Sequence, residues 1–592
     1  MYGLLGLLGG ALVYYGTDDT EAVLRLPGDE RFYRTGVYVA CATTVGIVVL
    51  TGEPLFVAFG LVSGYALVTW QLFADPLPER ILPQLAALFL LSPLSKYLTA
   101  GTYFGDGDIL IHTRFVDEIL AAGSLNGIAD TSYYDYPGLQ LLASTAGDLS
   151  GLGGYDGIML TGLAAYAIVL PAVYLVITRF TGDPLLGMYT AFAVAVLDDI
   201  VFYVSYLFPQ SLASVLIIAL AVLATLVTQD ELKWRVVGLF VLVSVTLVFT
   251  HHLTQVLFVP LVAVIIGVYA LHGRGYARTV FWSRPFGLFV LTASMTALQL
   301  FRTNFIDRLL VSGREIIEGG AQGGYDRGVD LVFGSQAEGS AVAMAVEWLV
   351  SPYGLYLILL LVVFSIGVTV FLRTRENAAP YSALCYAGII GSLLIFETPL
   401  SIKSLNRIRA PWLFVFAVIL AIGFLQFRDR IGPSRQGRLL LVIVVLVAAA
   451  GPLVTADNFY GLDPRPTTQS AFSDQEVAEL EAVAEYTRGQ EETTTTFWTT
   501  RLAMRRYGVE GLQRSQLDGE RLVLPAGKFI YRAEETNHAV HFLAGEEDQL
   551  YSNTVVMDDP WLDQRIASSN KVYSAGGTGV IWGSSERSFE GV

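Results

Sequence analysis

Long apolar runs separated by short polar stretches fill the first three quarters of the chain. They fall at about 1–16, 36–52, 54–73, 81–99, 157–178, 184–207, 209–228, 236–250, 253–271, 285–302, 344–372, 381–397, 410–427 and 438–455. As a helix, a run of roughly 20 residues crosses the ~30 Å hydrocarbon layer at about 1.5 Å per residue. Barrel strands would alternate apolar and polar positions instead. The expected fold is therefore a polytopic α-helical membrane protein of about 14 transmembrane helices. Asp198, Asp199 and Pro209 interrupt the 198–211 stretch. The first run, MYGLLGLLGGALVYYG, has no basic residue before it and no cleavage-site pattern, so it is expected to be a spanning or anchoring helix rather than a signal peptide.

Basic residues in short loops set the sidedness. Alternate loops hold Arg25, Arg31 and Arg34; Arg80; Arg179; Lys233 and Arg235; Arg274, Arg278 and Arg284; Arg373 and Arg375; and Arg428, Arg430, Arg435 and Arg438. The short loops of the other set are nearly free of them. The first set is expected to be cytoplasmic. The N-terminus, the loops 100–156 and 303–343 and the segment after residue 455 then face outward at the cell membrane. The chain divides into accessory helices at 1–80, a transmembrane core at 81–455 and a soluble extracytoplasmic domain at 456–592. That domain opens with a capping box, Ser473 and Glu476 in S-x-x-E, before VAELEAVAEY. The runs RLVLPAGKFIYR, NTVVM and KVYSAGGTGVIW follow with strand character. A small α/β or α+β module is expected, with Thr493–Thr496 as a linker or strand edge.

Composition sharpens this picture. Of 592 residues, 53% are hydrophobic and 15% charged, which is low for a soluble protein. The net charge of −16 lies in the loops and the C-terminal quarter, where 22 acidic residues stand against 12 basic ones. An acidic surface keeps a protein hydrated in a saline exterior and fits a halophilic archaeal source, and it argues against nucleic-acid binding. Cys41 and Cys385 both lie inside apolar runs, so no disulfide framework or thiolate metal site is expected.

The richest candidate chemistry lies in GDGDILIHTRFVDEILAAGSLNGIADTSYYDYP, Gly105 to Pro137. Asp106 and Asp108 directly follow an apolar run. His112 lies one helical turn after Asp108. Tyr133, Tyr134, Asp135, Tyr136 and Pro137 return to the membrane surface. Three readings fit the acids. A desolvated carboxylate becomes basic enough to deprotonate an acceptor hydroxyl. Asp106, Asp108 and His112 offer ligands to a divalent cation such as Mg or Mn. Alternatively the two acids cap the helix that follows.

The D-x-x-x-H pattern, an arginine-bearing amphipathic helix ending in Gly and an aromatic-Pro-Gly turn, in the first large outer loop, resemble the GT-C superfamily of membrane glycosyltransferases. The likeness is greatest to oligosaccharyltransferase catalytic subunits and protein mannosyltransferases. It covers 81–455 in architecture and 105–140 in motif. The resemblance implies an essential loop aspartate, best matched by Asp108 and then Asp106, followed by His112 and Arg114. It implies a sugar donor on a polyprenyl or dolichyl phosphate. The WWDYG signature of oligosaccharyltransferases is absent.

Other outward groups extend the candidate site. Lys403, Arg407 and Arg409 in KSLNRIRAPW break the basic-inside trend; they suit a lipid phosphate, or else pair with Glu397 or snorkel at a helix end. The resemblance adds weight to the phosphate reading. His251 and His252, the pair Asp198 and Asp199, and Glu397 are each read as cavity-lining or as structural. Tyr134 and Asp135 join the substrate-binding candidates. The glycine-rich 303–343 loop is a lid or a plain linker. The expected function is transfer of a sugar from a polyprenyl-phosphate carrier to a protein, lipid or glycan acceptor. The rivals are a lipid-oligosaccharide flippase or transporter, and a non-catalytic cell-surface assembly protein.

Overall fold

A computed structural model describes residues 30–52, 55–105, 107–227, 234–271, 284–303, 352–374, 379–395, 409–430 and 435–454, and, toward the C-terminus, 471–489, 493–495, 498–509, 512–514, 516–518, 521–524, 527–532, 539–544, 551–556, 569–583 and 587–590. Every apolar segment expected from residue 36 onward overlaps a helix; the 1–16 segment lies outside the described residues. The helices are α1 (Glu30–Thr51), α2 (Leu55–Ala74), α3 (Pro78–Thr99), α4 (Asp108–Ala122), α5 (Gly138–Ser150), α6 (Gly154–Ala167), α7 (Val169–Thr181), α8 (Pro184–Val196), α9 (Asp198–Ser205), α10 (Pro209–Val227), α11 (Trp234–Val248), α12 (His252–Leu271), α13 (Arg284–Arg302), α14 (Pro352–Arg373), α15 (Ala379–Ile395), α16 (Arg409–Arg430) and α17 (Arg435–Val454).

Among the described residues seven helices are long and apolar enough to cross a membrane, or eight with α8 and α9 taken as one broken span. Many carry large apolar side chains on open faces, such as Leu50, Leu242, Leu271, Leu298 and Phe301. In water such faces would drive association; around a helical bundle they are the lipid contact. Pairs of helices are also tied by polar contacts, as where Gln71 and Gln84 exchange reciprocal amide hydrogen bonds between α2 and α3 at 2.9 and 3.2 Å. The chain is thus a multi-pass helical membrane protein.

The interruption at Asp198 and Asp199 is a real break. Leu197 is extended between α8 and α9, and the two helices differ by 65°. The buried Tyr356 of α14 braces the corner, its hydroxyl donating to the carbonyl of Val196 at 3.1 Å.

The C-terminal part holds the expected α and β elements. Strand β1 (Thr102–Tyr103) belongs to the first loop. Strands β2 (Ala471–Phe472), β3 (Thr493–Thr495), β4 (Gln513–Arg514), β5 (Gln516–Asp518), β6 (Arg521–Leu524), β7 (Gly527–Arg532), β8 (Ala539–Ala544), β9 (Tyr551–Val556), β10 (Asn570–Ala575), β11 (Thr578–Gly583) and β12 (Arg587–Glu590) follow, with helices α18 (Asp474–Thr487) and α19 (Trp498–Arg506). The capping box forms: Ser473 accepts from the Glu476 amide, and the Glu476 carboxylate accepts from the Ser473 amide. Five strands make a sheet in the order β10-β11-β7-β3-β4. The threonine run is therefore an interior strand, with Thr493 and Thr495 buried, rather than a linker. One apolar core runs without a break from the spans through Tyr103, Phe104, Ile109 and Val116 to Phe472, Leu480, Ile530 and Val580.

Candidate functional site

The acidic turn is built by two glycines and one tyrosine. After α3 the chain forms β1 and turns through Phe104 to Asp108, with Gly105 at φ 54° and Gly107 at φ 96°. A β-carbon at Gly105 would lie 2.5 Å from the Tyr206 ring, so only glycine lets the turn pass so close. The Tyr206 hydroxyl accepts from the Asp108 amide at 2.9 Å. Asp108 is the first residue of α4 and is partly exposed. There the helix dipole favours a negative charge. Gly107 precedes it with no side-chain cap, so the capping role is not taken at that position. Asp106 lies outside the described residues.

The same tyrosine connects the turn to the second acidic pair. Tyr206 follows the end of α9, and Asp198 and Asp199 form its start, roughly 12 Å away along the helix axis. Both acids are partly exposed. The Asp198 amide donates to the Tyr356 hydroxyl at 3.2 Å, and that hydroxyl lies 3.3 Å from Asp198 Oδ1. The broken span thus presents acid at one end and grips the Asp108 turn at the other.

His112 is turned inward, 2% exposed, with its ring 4.7 Å from that of Tyr133 and its Nδ1 accepting from Gln140 Nε2 at 2.9 Å. Burial pushes its pKa down to about 3, so the ring is neutral. The bond from Gln140 occupies the lone pair of Nδ1. Among the described residues no three His, Cys, Asp or Glu groups gather at metal-binding distance.

Arg114 is likewise committed. Its Nε donates to Glu118 at 2.6 Å and its Nη1 to the carbonyl of Arg505 at 3.1 Å. It ties α4 to the C-terminal part of the chain. His251 caps α12: its Nδ1 accepts from the Thr254 amide at 3.2 Å and lies 2.7 Å from the Thr254 hydroxyl. The His252 ring stacks on His251 and packs against Tyr136, each at 5.0 Å. Tyr134 and Asp135 line a separate cavity beside α11 and α13. Glu397, Lys403 and Arg407 lie outside the described residues, as does the glycine-rich loop beyond Thr303; Arg409 opens α16.

Sequence reasoning missed the docking of the C-terminal domain on this loop. Strand β1 pairs antiparallel with β2, Thr102 opposite Phe472 and Tyr103 opposite Ala471. The Phe104 and Phe472 rings lie 4.3 Å apart, and the Arg532 guanidinium covers Phe472 at 4.7 Å. Arg506 Nη1 donates to the Thr102 hydroxyl at 3.0 Å. Asp117 accepts from the Gly154 amide at 2.8 Å; burial raises its pKa, opposed by that hydrogen bond and by Arg506. Two-residue strands carry no periodicity, so nothing in the sequence marked the contact.

No protein-family model matches the chain, and no curated protein does. Among solved structures it is similar to the Archaeoglobus fulgidus oligosaccharyltransferase, in a complex with Zn and sulfate, at 14% identity and a TM-score of 0.46. The match covers 73% of this chain and 61% of that one, so the chain spans about three fifths of that protein's length.

Proposed function

We propose that the chain is an integral-membrane glycosyltransferase of GT-C type. It moves a sugar from a polyprenyl or dolichyl phosphate carrier to a protein, lipid or glycan acceptor at the outer membrane face. The observation that carries this reading is the Asp108 turn. A partly exposed carboxylate follows a spanning helix, on a backbone amide that donates to Tyr206 at one end of a broken span whose other end bears Asp198 and Asp199. The motif resemblance of residues 105–140 points the same way.

In this reading Asp108 accepts the proton of the acceptor as its nucleophilic atom bonds to the anomeric carbon. The bond from that carbon to the carrier phosphate breaks, and the phosphate leaves with the electron pair. One carboxylate acting alone gives inversion, because retention needs a second group as nucleophile. The arginines of 403–412 receive the leaving phosphate. Asp108→Asn should lower transfer from a labelled lipid-phosphate sugar on the order of a hundredfold or more, the scale of a lost general base. Undiminished transfer in that variant would sink the proposal.

The 65° break also favours a second reading, since discontinuous spans with acid at the break serve transporters. Net movement of lipid-linked sugar across a vesicle membrane, with no new glycosidic bond, would establish it instead.

A further inference from the structure

A cavity of about 480 Å³ opens on the loop side of the bundle, between α5, α11 and α13. Leu125, Pro137, Leu141, Leu142, Val245 and Phe249 make most of its wall. At its mouth Arg302, the last residue of α13, reaches Asp135 at 3.4 Å, with side chains 60% and 39% exposed. The Gln299 amide donates to the Asp135 carbonyl at 2.8 Å and fixes that backbone. Tyr134 stands beside the pair, 41% exposed. The surrounding surface is apolar: Leu242, Leu298 and Phe301 are open on α11 and α13. An apolar slot continuous with the lipid contact, headed by one cation, one anion and an exposed tyrosine, matches the bilayer interface, where chains meet headgroups.

We propose that this cavity holds one bilayer lipid whose headgroup carries both a phosphate and an ammonium. The phosphate takes Arg302, the ammonium takes Asp135, and a chain occupies the slot between α5 and α11. Charge complementarity selects this occupant. A phosphate alone would gain Arg302 but face the Asp135 carboxylate, whereas a zwitterion replaces both halves of the ion pair. The slot's size is that of a small-ligand site. A sugar carried on a lipid phosphate has no ammonium to answer Asp135. The inference stands whether or not the chain transfers sugar.

The test uses the full chain, delipidated in mild detergent and then given phosphatidylethanolamine or phosphatidylglycerol of identical chains. Retained lipid is counted by native mass spectrometry. The wild type should hold one phosphatidylethanolamine in clear preference to phosphatidylglycerol. Arg302→Gln should lower that retention on the order of tenfold, the scale of one charge-assisted hydrogen bond. Asp135→Asn should erase the preference between the two lipids. Leu142→Trp, which fills the slot and leaves the charges, should also lose the lipid, and with Asp135→Asn it decides the matter if Arg302→Gln does not fold. Equal retention of the two lipids by the wild type, or unchanged retention in these variants, would overturn the proposal. So would displacement of the phospholipid by a polyprenyl-phosphate sugar in the wild type.

Discussion

His112 shows how far one residue's role depends on which way it turns. In sequence it lies one helical turn from Asp108 and reads as a partner in chemistry. In the fold it faces Phe115, Tyr133 and Gln140, and the surrounding apolar groups exclude the charged form. The helical spacing was legible; the direction of the loop helix was not, because Ile109, Phe115, Val116 and Ile119 are compatible with burying either flank. The buried position has a consequence for stability. The unfolded histidine titrates near 6.5 and the folded one at about 3, so between these values the unfolded chain binds more protons. The contribution is fully present above pH 6.5 and is lost as pH falls. By pH 5 the loss is about 2 kcal/mol, whatever the exact folded value below that pH. Replacing both His112→Phe and Gln140→Leu removes the polar pair together, which is nearly neutral at pH 7. Thermal melts of the full chain from pH 7 to pH 5 should fall less steeply for this double variant than for the wild type. Parallel slopes would show that His112 is not buried neutral.

At the scale of elements, the acidic turn depends on neighbours distant in sequence. Tyr206 is 98 residues from Asp108, and its hydroxyl is a fixed acceptor for the first amide of α4. Tyr206→Phe keeps the ring that closes over Gly105 and removes the acceptor of the Asp108 amide, a loss of about 1 kcal/mol. Its expected signature under the glycosyltransferase reading is a lowered kcat with little change in donor KM. An unchanged kcat would mean that the turn holds its shape without the hydroxyl. The second support is β2. Phe472 is buried between Phe104 and Arg532, and Phe472→Ala should cost on the order of 3 kcal/mol in that contact. Hydrogen exchange at Thr102 should then accelerate while exchange within α18 stays slow. Retained protection at β1 would show that the loop orders itself without the C-terminal domain. The capping box at Ser473 was readable because its signal is local: two polar residues at a fixed offset before an apolar run. The α8–α9 break was readable as an interruption, since two acids and a proline fit no continuous span. The β1–β2 pairing and the interior place of Thr493–Thr495 were not, since both are set by partners far along the chain.

At the scale of the whole molecule, one apolar core links the spans, the first loop and the C-terminal domain, so the loop and that domain share a side of the membrane. Charge sets the expectation for which side, because basic residues in short loops are retained in the cytoplasm during insertion. Arg80 lies in the first turn of α3, at the end away from the acidic loop, and Arg179 lies in the last turn of α7 one span later. Both sit opposite the loop, which argues for the loop and the C-terminal domain outside. The chain's own cysteines suit a direct test. Cys385 is buried and burial leaves Cys41 half-covered within α1, so the background toward a membrane-impermeant maleimide should be low. Ser574→Cys, exposed on β10, should be labelled on intact cells. Asp75→Cys, exposed in the α2–α3 turn, should be labelled only after the membrane is opened. The reverse pattern would place the acidic turn in the cytoplasm. It would then remove the premise that sugar transfer at Asp108 happens on the outer face, while leaving the geometry of the turn, the broken span and the docked domain as they are.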